Sequence, residues 1–561
     1  MSSESPAPTS MHWRAQVLGD LEGGAYDVLV VGGGINGAVS AACLAARGAR
    51  VALIERGDFA SFTSQQSSNL AWGGIKYMET LEFGLVRKLC VSRNHLIRAY
   101  PSAVQEIRFY AIHERGFRHP LWKLVMGTWL YWIIGSFFTR APRRLSRDTI
   151  AREEPIVNLD GVDGGFEYSD AYLHDNDARF VWGFVRSAID HGCAAANYVE
   201  SLGSTLGDDG AWTTRARDVV TGRELVIRSK VLVNACGPFV DAMNERTGVE
   251  TAHRHVFSKG IHLIVNRITE RRRVLTFFAD DGRLFFVIPM GPRTCVGTTD
   301  TRVESPHTHV TPEDRRFVLE NVSKRLRLER SLCEKDVIAE RCGVRPLVVR
   351  KDRGDGRTKD WTQLSRKHVV EVDAKKRHVS IFGGKLTDCL NVGEEIADCV
   401  AALGVALPKR AARWYGEPDA PTRAAFFERA ARSKLDALTS PSAAEPLSAR
   451  LWRRWGADAF AILEAIEADP TKAKLLIGGA EHVRAEVEHS ARRERIVKLE
   501  DFLRRRSKIA LVVRREELRR DPGVREACAI LFGEDASARF HEYFGEAEDV
   551  PAVAPPGQAV A

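Results

Sequence analysis

Residues 26–55, YDVLVVGGGINGAVSAACLAARGARVALIE, restrict what the chain can fold into more than any other stretch. Asp27 to Val31 is a run of strand length, and Gly32, Gly34 and Gly37 then fill the three glycine places of a G-x-G-x-x-G turn. The first glycine lets the backbone reverse, the second lets a pyrophosphate approach the main chain, and the third lets the next helix pack on the strand. That helix, expected from Asn36 to Arg47, presents free N–H groups and the positive end of its dipole to phosphate. Val51 to Ile54 reads as the second parallel strand, ending at Glu55 with Arg56 just beyond. A carboxylate about 20 residues past the glycines accepts hydrogen bonds from a ribose diol and disfavours a 2′-phosphate. Strand, turn, helix, strand and acid arrive in order, so the stretch reads as a dinucleotide site.

At 561 residues the chain exceeds one hydrophobic core, so two or three domains are expected. Its 44% apolar and 28% charged residues exclude the disordered and collagenous classes. A net charge of +8 is modest for this length and gives no ground for nucleic-acid binding. The ten cysteines show no C-x-x-C and no metal-ligand spacing, which suits a reducing compartment and a metal-free site. Residues 1–25 lack the apolar core of a secretory signal and read as a flexible N-terminus. Leu124 to Phe138 is the longest apolar stretch, but a bilayer crossing needs about 20 residues. It reads as a buried or interfacial helix whose aromatic residues, followed by Arg140, Arg143 and Arg144, suit contact with a membrane surface.

Further along, Ser61 to Ser68 is a hydroxyl-rich loop containing Ser67, and Gly73 with Gly74 permits close backbone approach to a flat ligand. Lys76 and Tyr77 follow, then a helix expected to carry Leu81, Leu85 and Leu89 on one face. Val231 to Gly237 reads as a strand ending in a glycine turn, and Ile381 to Thr387 as a strand, a double glycine and a helix start holding Gly384, Lys385, Leu386 and Thr387. Nucleotide-binding pieces split between the N-terminus and residue 380 or so favour FAD over NAD. Alternating apolar residues at 261–265, 284–288 and 379–381 predict an antiparallel sheet with one covered face. Lys259, His262 and Arg345 fall at its strand ends or turns, beside Gly260 and Gly343. Beyond residue 405, 417–443 reads as a linker plus a helix, and 459–468 and 481–508 as amphipathic helices. Arg504 to Arg506 is expected to be a solvated or subunit-facing charge run.

The ordered motifs resemble one family, the FAD-dependent glycerol-3-phosphate dehydrogenases, relatives of glycine oxidase and D-amino-acid oxidase. They are the GGGxxG unit, the serine-rich loop, GGIKYME at 73–79, FEYSD at 166–170, VLVNACGPFV at 231–240, KGIH at 259–262, GTTD at 297–300, GVRPL at 343–347, RKHV at 366–369 and FGGKLT at 382–387. The resemblance implies an α/β fold: a Rossmann-type FAD-binding domain of the glutathione-reductase-like and D-amino-acid-oxidase-like kind, an antiparallel-sheet substrate domain and a helical C-terminal cap. It divides the chain into a flexible N-terminus 1–25, FAD-binding segments 26–110, 181–250 and 376–405, a helical insertion and start of the substrate domain at 111–180, the substrate domain 251–375, the helical domain 406–545 and a disordered tail 546–561.

The implied reaction is oxidation of sn-glycerol 3-phosphate to dihydroxyacetone phosphate by hydride transfer to flavin N5, with electrons leaving for a quinone. The substrate dianion calls for cations, preferably a guanidinium fork: Arg345 first, then Arg366, Lys76 and Lys259. His262 is the expected base and His368 its rival, with Tyr77 lining the substrate site. Gly32, Gly34, Asn36, Gly37, Glu55, Arg56, Ser67, Gly73, Gly74, Gly237, Gly384, Lys385, Leu386 and Thr387 are the expected FAD contacts. A cytoplasmic protein, peripheral at the cytoplasmic face of the inner membrane, follows, with a homodimer left open. The family's lysine, histidine and arginine before and after the glycine pair are here Asn69, Trp72 and Lys76. Those changes keep two alternatives open: an oxidase or dehydrogenase of another small hydroxy or amino compound, and a non-catalytic flavin-holding protein.

Overall fold

A computed structural model describes residues 12–279, 283–351, 367–410 and 412–545. The first half of the chain runs through α1 (His12–Gly23), β1 (Ala25–Val31), α2 (Ile35–Ala46), β2 (Val51–Glu55), α3 (Phe83–Ala99), β3 (Val104–Glu114), α4 (Leu121–Ile134), β4 (Val162–Leu173) and α5 (Asp177–Asp190). The elements that complete the two sheets and the helical region are β5 (Glu224–Asn234), β6 (His253–Asn266), β7 (Leu284–Met290), β8 (Arg293–Gly297), α6 (Pro312–Arg325), β9 (Ala339–Arg350), β10 (His378–Phe382), α7 (Cys389–Ala402) and α8 (Arg484–Arg493).

The smaller sheet has the order Val369–Asp373, β10, β5, β1, β2, Ala194–Asn197, parallel from β10 onward along this path, with Trp212–Asp218 added antiparallel to the first part of β5. Parallel strands need both faces covered. Accordingly Val28, Val30, Leu53 and Val231 are fully buried against α2, α5 and α7. The small residues of α2, Ala38, Ala41 and Ala42, allow this close approach. A Cβ on Gly37 would collide with the Gly32 carbonyl oxygen, so only glycine lets α2 start where it does.

The larger sheet runs Thr301–Val303, β6, β8, β7, Arg273–Phe278, β3, β4, Leu70–Ala71, with β9 paired along the whole of β6. One face buries Ile261, Leu263 and Val265 against Val318, Leu319 and Val322 of α6. The opposite face carries Ile264, Phe286 and Ile288 and packs on the C-terminal helical region through Phe502, Ile509 and Leu511. Alternation along β6 therefore sorts its side chains into an α6 side and an inner side.

Four expectations change. The N-terminal residues from His12 are not flexible: Val17, Leu18 and Leu21 are buried, and Arg14 donates to the Asn197 carbonyl and pairs with Asp218. Val379 to Ile381 belongs to the parallel sheet, because β10 pairs with β5 rather than with the substrate strands. Leu81 lies outside α3 and is exposed, while Leu85 and Leu89 are buried. The run 481–508 is not one helix, since α8 ends at Arg493 and a π-helical turn, Asp501–Arg506, follows.

That turn also overturns the reading of Arg504 to Arg506 as a solvated run. All three are buried. Arg506 donates to both oxygens of Asp58 at 2.7 and 2.8 Å, and Arg505 donates to Asp58 at 2.6 Å and to Asp501 at 2.7 Å. Asn197 completes the Asp58 shell at 2.8 Å. Burial opposes ionisation of Asp58, yet Arg506 and Arg505 hold its carboxyl below the usual range. The helical region is thus clamped to the nucleotide-binding one by charges that neutralise each other.

Candidate active site

The glycine turn after β1 forms a cradle of bare backbone. A Cβ on Gly32 would come 2.5 Å from the Ala235 carbonyl oxygen, and one on Gly33 would enter Phe59 and Glu55. Gly34 caps α2 without a side chain of its own, and Ser64 from the serine-rich loop accepts from the Ile35 N–H at 3.0 Å. Glu55 accepts from the N–H groups of Gly33 at 2.7 Å and Gly57 at 2.8 Å, which fixes the carboxylate at the end of β2. Gly237 opens the turn after β5 at φ 55°, and the Arg56 guanidinium lies 4.5 Å from the Phe239 ring in the next position but one. An extended dinucleotide fits this surface, since a helix N-terminus, side-chain-free turns and an anchored acid are its three requirements.

The second glycine turn meets the first. Asn36, at the start of α2, donates to the Gly383 carbonyl at 2.9 Å, and a Cβ on Gly384 would strike its amide. Gly383 in turn donates to His255 Nε2 at 3.0 Å, tying the turn to β6. The Lys385 ammonium lies 3.9 Å from the centre of the Tyr77 ring, and Thr387 donates to the Trp72 carbonyl at 3.3 Å. Leu386 opens the short helical turn that leads into α7. Residues more than 300 positions apart, in three segments, converge on one place.

Gly73 and Gly74 are held from behind by a buried ion pair. Asp170 on β4 accepts from the Gly73 N–H at 3.0 Å, from Arg93 of α3 at 2.7 Å and from the Tyr131 hydroxyl of α4 at 2.8 Å. A Cβ on Gly73 would fall on that hydroxyl. Trp72, where the family has histidine, donates its indole N–H to Tyr168 at 3.3 Å and stands edge-on to Phe286, 6.3 Å between centroids. Gly74 adopts φ 81° and leads into the turn bearing Lys76 and Tyr77.

Phe286 pairs with Gly297, and Gly297 with His262, so one row of the larger sheet runs from Trp72 to His262 and on to Arg341 of β9. His262 is 3% exposed and neither ring nitrogen has a hydrogen-bond partner. Burial first, then the charges of Arg341 and Arg345, push its pKa down to about 3, so the ring is a neutral base at working pH. Arg345 lies on the same face: a Cβ on Gly260, two residues before His262, would land on its guanidinium. Its fork donates to Thr298 Oγ1 at 3.1 Å and the Thr299 carbonyl at 3.3 Å, and its side chain keeps 26% of its exposure. A cavity of about 370 Å³ opens beside this strand, between the serine-rich loop at Ser61 to Thr63 and Gln66 and the segment His307 to His309.

Several expected residues stand apart. Lys259 projects to the α6 side and bonds Asp314 at 2.5 Å, so it does not share a face with His262. Its strand neighbours Ile261 and Leu263 are on that side too, which is why it faces away. His368 bonds Glu395 at 2.7 Å and lies 3.2 Å from Asp388; burial works against its charge, but those two carboxylates hold its pKa above the usual value. Both ring nitrogens are thus taken up by carboxylates, unlike those of His262. Ser67 spends its groups on the loop, its N–H on Asp177 at 2.7 Å and its hydroxyl accepting from Asn69. Arg366 lies outside the described residues. Arg341 was not anticipated: it is buried, donates to the Ser67 carbonyl and bonds Asn69 Oδ1 at 3.0 Å. The signal was present, since Arg341, Gly343 and Arg345 alternate along one strand.

Known proteins bear the same features. The family model for FAD dependent oxidoreductases matches residues 27–377, and that for the C-terminal domain of alpha-glycerophosphate oxidase matches 422–539. The aerobic glycerol-3-phosphate dehydrogenase of Bacillus subtilis is 29% identical over 391 residues, 69% of each chain. The mitochondrial glycerol-3-phosphate dehydrogenase of Bos taurus is 30% identical over 400 residues, 68% of this chain and 54% of that one. The chain thus spans about half the length of its mitochondrial relatives. The solved glycerol-3-phosphate dehydrogenase of Bacillus halodurans, complexed with FAD, superposes with a TM-score of 0.70 at 23% identity, covering 96% of this chain and 97% of that one, a likeness of fold.

Proposed function

The chain belongs to the FAD dependent oxidoreductase family, and on that footing we propose that it oxidises sn-glycerol 3-phosphate to dihydroxyacetone phosphate and passes the electrons to a membrane quinone. One observation carries the reading: a buried neutral imidazole without partners, His262, beside a guanidinium fork, Arg345. FAD, when bound, supplies the two-electron acceptor. The glycine cradle at Gly32 to Gly37, Glu55, and the turns at Gly73–Gly74 and Gly383–Gly384 are the residues suited to hold it.

His262 takes the proton of the C2 hydroxyl on a ring nitrogen that no protein group engages. Arg345 binds the phosphate, with Lys76 and Lys385, which meet at the Tyr77 turn, adding positive charge. Trp72 and Phe286 give the site an apolar side that excludes water.

Delivery to a quinone is supported by α4. No helix of the described residues is long and apolar enough to cross a membrane. Yet Trp122, Met126, Trp129, Leu130 and Ile133 of α4 are exposed, as is Phe137 just after it. Such a face suits a helix lying in the interface, with the neighbouring Arg87, Arg118 and Arg140 for anionic lipid headgroups.

The test is anaerobic. Glycerol 3-phosphate should bleach the yellow protein, and vesicles carrying quinone should restore the colour, more slowly for Trp129→Glu. Bleaching by an amino acid or another hydroxy compound alone would replace the substrate, and no bleaching by any of them would reject the enzyme.

A further inference from the structure

A second cleft, of about 460 Å³, lies between the first residues of β9 and the C-terminal helices. Its apolar wall is Ile338, Leu499, Leu511 and Leu518, and its charged wall is Lys498, Arg504, Arg515 and Arg539. Three carboxylates reach it, and each is engaged. Glu340 bonds Arg315 at 2.5 Å, Glu500 lies 3.1 Å from Arg505, and Glu542 serves both Lys498 and Arg539.

Two guanidiniums remain without a carboxylate among the described residues. Arg515 bonds the Tyr543 carbonyl and stacks on the rings of Tyr543 and Phe544. Arg504 is 8% exposed, and its Nη1 has no partner. Its other nitrogen donates to the Gln65 carbonyl at 2.6 Å and to Gln66 Oε1 at 3.3 Å. Burial first, then Arg341 nearby, pushes the Arg504 pKa down to about 9, more than the fields of Asp177 and Glu500 offset.

We propose that this cleft is a second anion site, for a phosphate monoester with a small apolar body, coupled to the candidate active site through Arg504. Two forks short of a carboxylate match a dianion, and the leucine wall matches an apolar substituent. The coupling is short. Gln66 lies against Gly343, where a Cβ would come within 2.6 Å of its Cβ, and Gly343 separates Arg341 from Arg345 on β9. An anion that draws Arg504 into the cleft thus loosens or tightens the serine-rich loop.

The probe is phenyl phosphate, titrated by calorimetry into FAD-loaded Arg345→Ala enzyme, in which the proposed substrate phosphate contact is gone. One equivalent should bind and shift the flavin absorption band, and inorganic phosphate, lacking the apolar body, should bind at least tenfold more weakly. Adding the exposed change Arg515→Ala should weaken phenyl phosphate tenfold or more while the melting temperature holds; Arg539→Ala serves as a second variant. No binding to Arg345→Ala, or binding that both further changes leave untouched, overturns the proposal. Should Arg345 prove unrelated to substrate phosphate, the parent enzyme would show the same dependence on Arg515, so the two readings fail separately.

Discussion

Two regions of this molecule draw basic side chains inward, and they do so in opposite ways. At the seam, Arg505 and Arg506 are neutralised by Asp58, more than 400 residues away in sequence, and Arg505 also by the nearby Asp501. In the candidate active site, His262 is buried with both nitrogens unengaged, and Arg345 donates to the Thr298 hydroxyl and the Thr299 carbonyl and lies 3.5 Å from Asp300. The first arrangement spends its charge on holding domains together. The second keeps a neutral base unengaged beside a partly exposed guanidinium, which is how a site for an anionic alcohol differs from a structural clamp.

The largest expected effect tests the site. His262→Gln should lower kcat by about 10²–10⁴-fold with little change in KM or melting temperature, the range for loss of a general base. A fall in melting temperature without loss of rate would move His262 to the structural side.

At the seam, Asp58→Asn should cost about 3–5 kcal/mol in unfolding free energy, since buried Arg506 loses its counter-charge and Arg505 is left with Asp501 and Glu500. Chemical denaturation measures it, and kcat per folded molecule should be nearly unchanged.

Acid separates the regions further. His262 is held at about 3, and His255 and His378 at about 4, in each case chiefly by burial. Their folded values lie below the unfolded value near 6.5, so the unfolded chain binds more protons in between. The stability they contribute is complete above pH 6.5 and is lost as pH falls from there toward 3. The Asp58 clamp, with its carboxyl below the usual range, weakens only as pH falls through the lower carboxylate range. Denaturation midpoints should therefore decline between pH 6.5 and 4, and His262→Gln should flatten that slope.

The smallest effect concerns Lys259. Because it pairs with Asp314 behind the sheet, Lys259→Met should leave kcat/KM within about twofold and act on stability alone, by the 1–3 kcal/mol of an unsatisfied buried group. A large loss of rate would return it to the site.

Much of this was legible in the sequence. The βαβ unit, the strand at 231–234 and the double glycine at 383–384 stand where their patterns place them, because strand length and glycine turns are local properties. The face of Lys259 was legible too: it shares its parity with Ile261, Leu263 and Val265, and His262 does not. The Arg504 to Arg506 run was not, because its burial depends on a π-helical turn and on an aspartate 447 residues away from Arg505. Nor was the hold on Gly73, since Arg93, Tyr131 and Asp170 come from three separate elements.

The central claim is that the face bearing His262 and Arg345 takes a phosphate-bearing alcohol. Anaerobic flavin bleaching, titrated with glycerol 3-phosphate for the parent enzyme and for Arg345→Ala, measures it directly. The concentration for half bleaching should rise by about tenfold or more in the variant, the loss of a charge-assisted contact of about 1.5–3 kcal/mol, while the response to glycerol itself stays the same. Equal titrations for the two proteins would contradict the account.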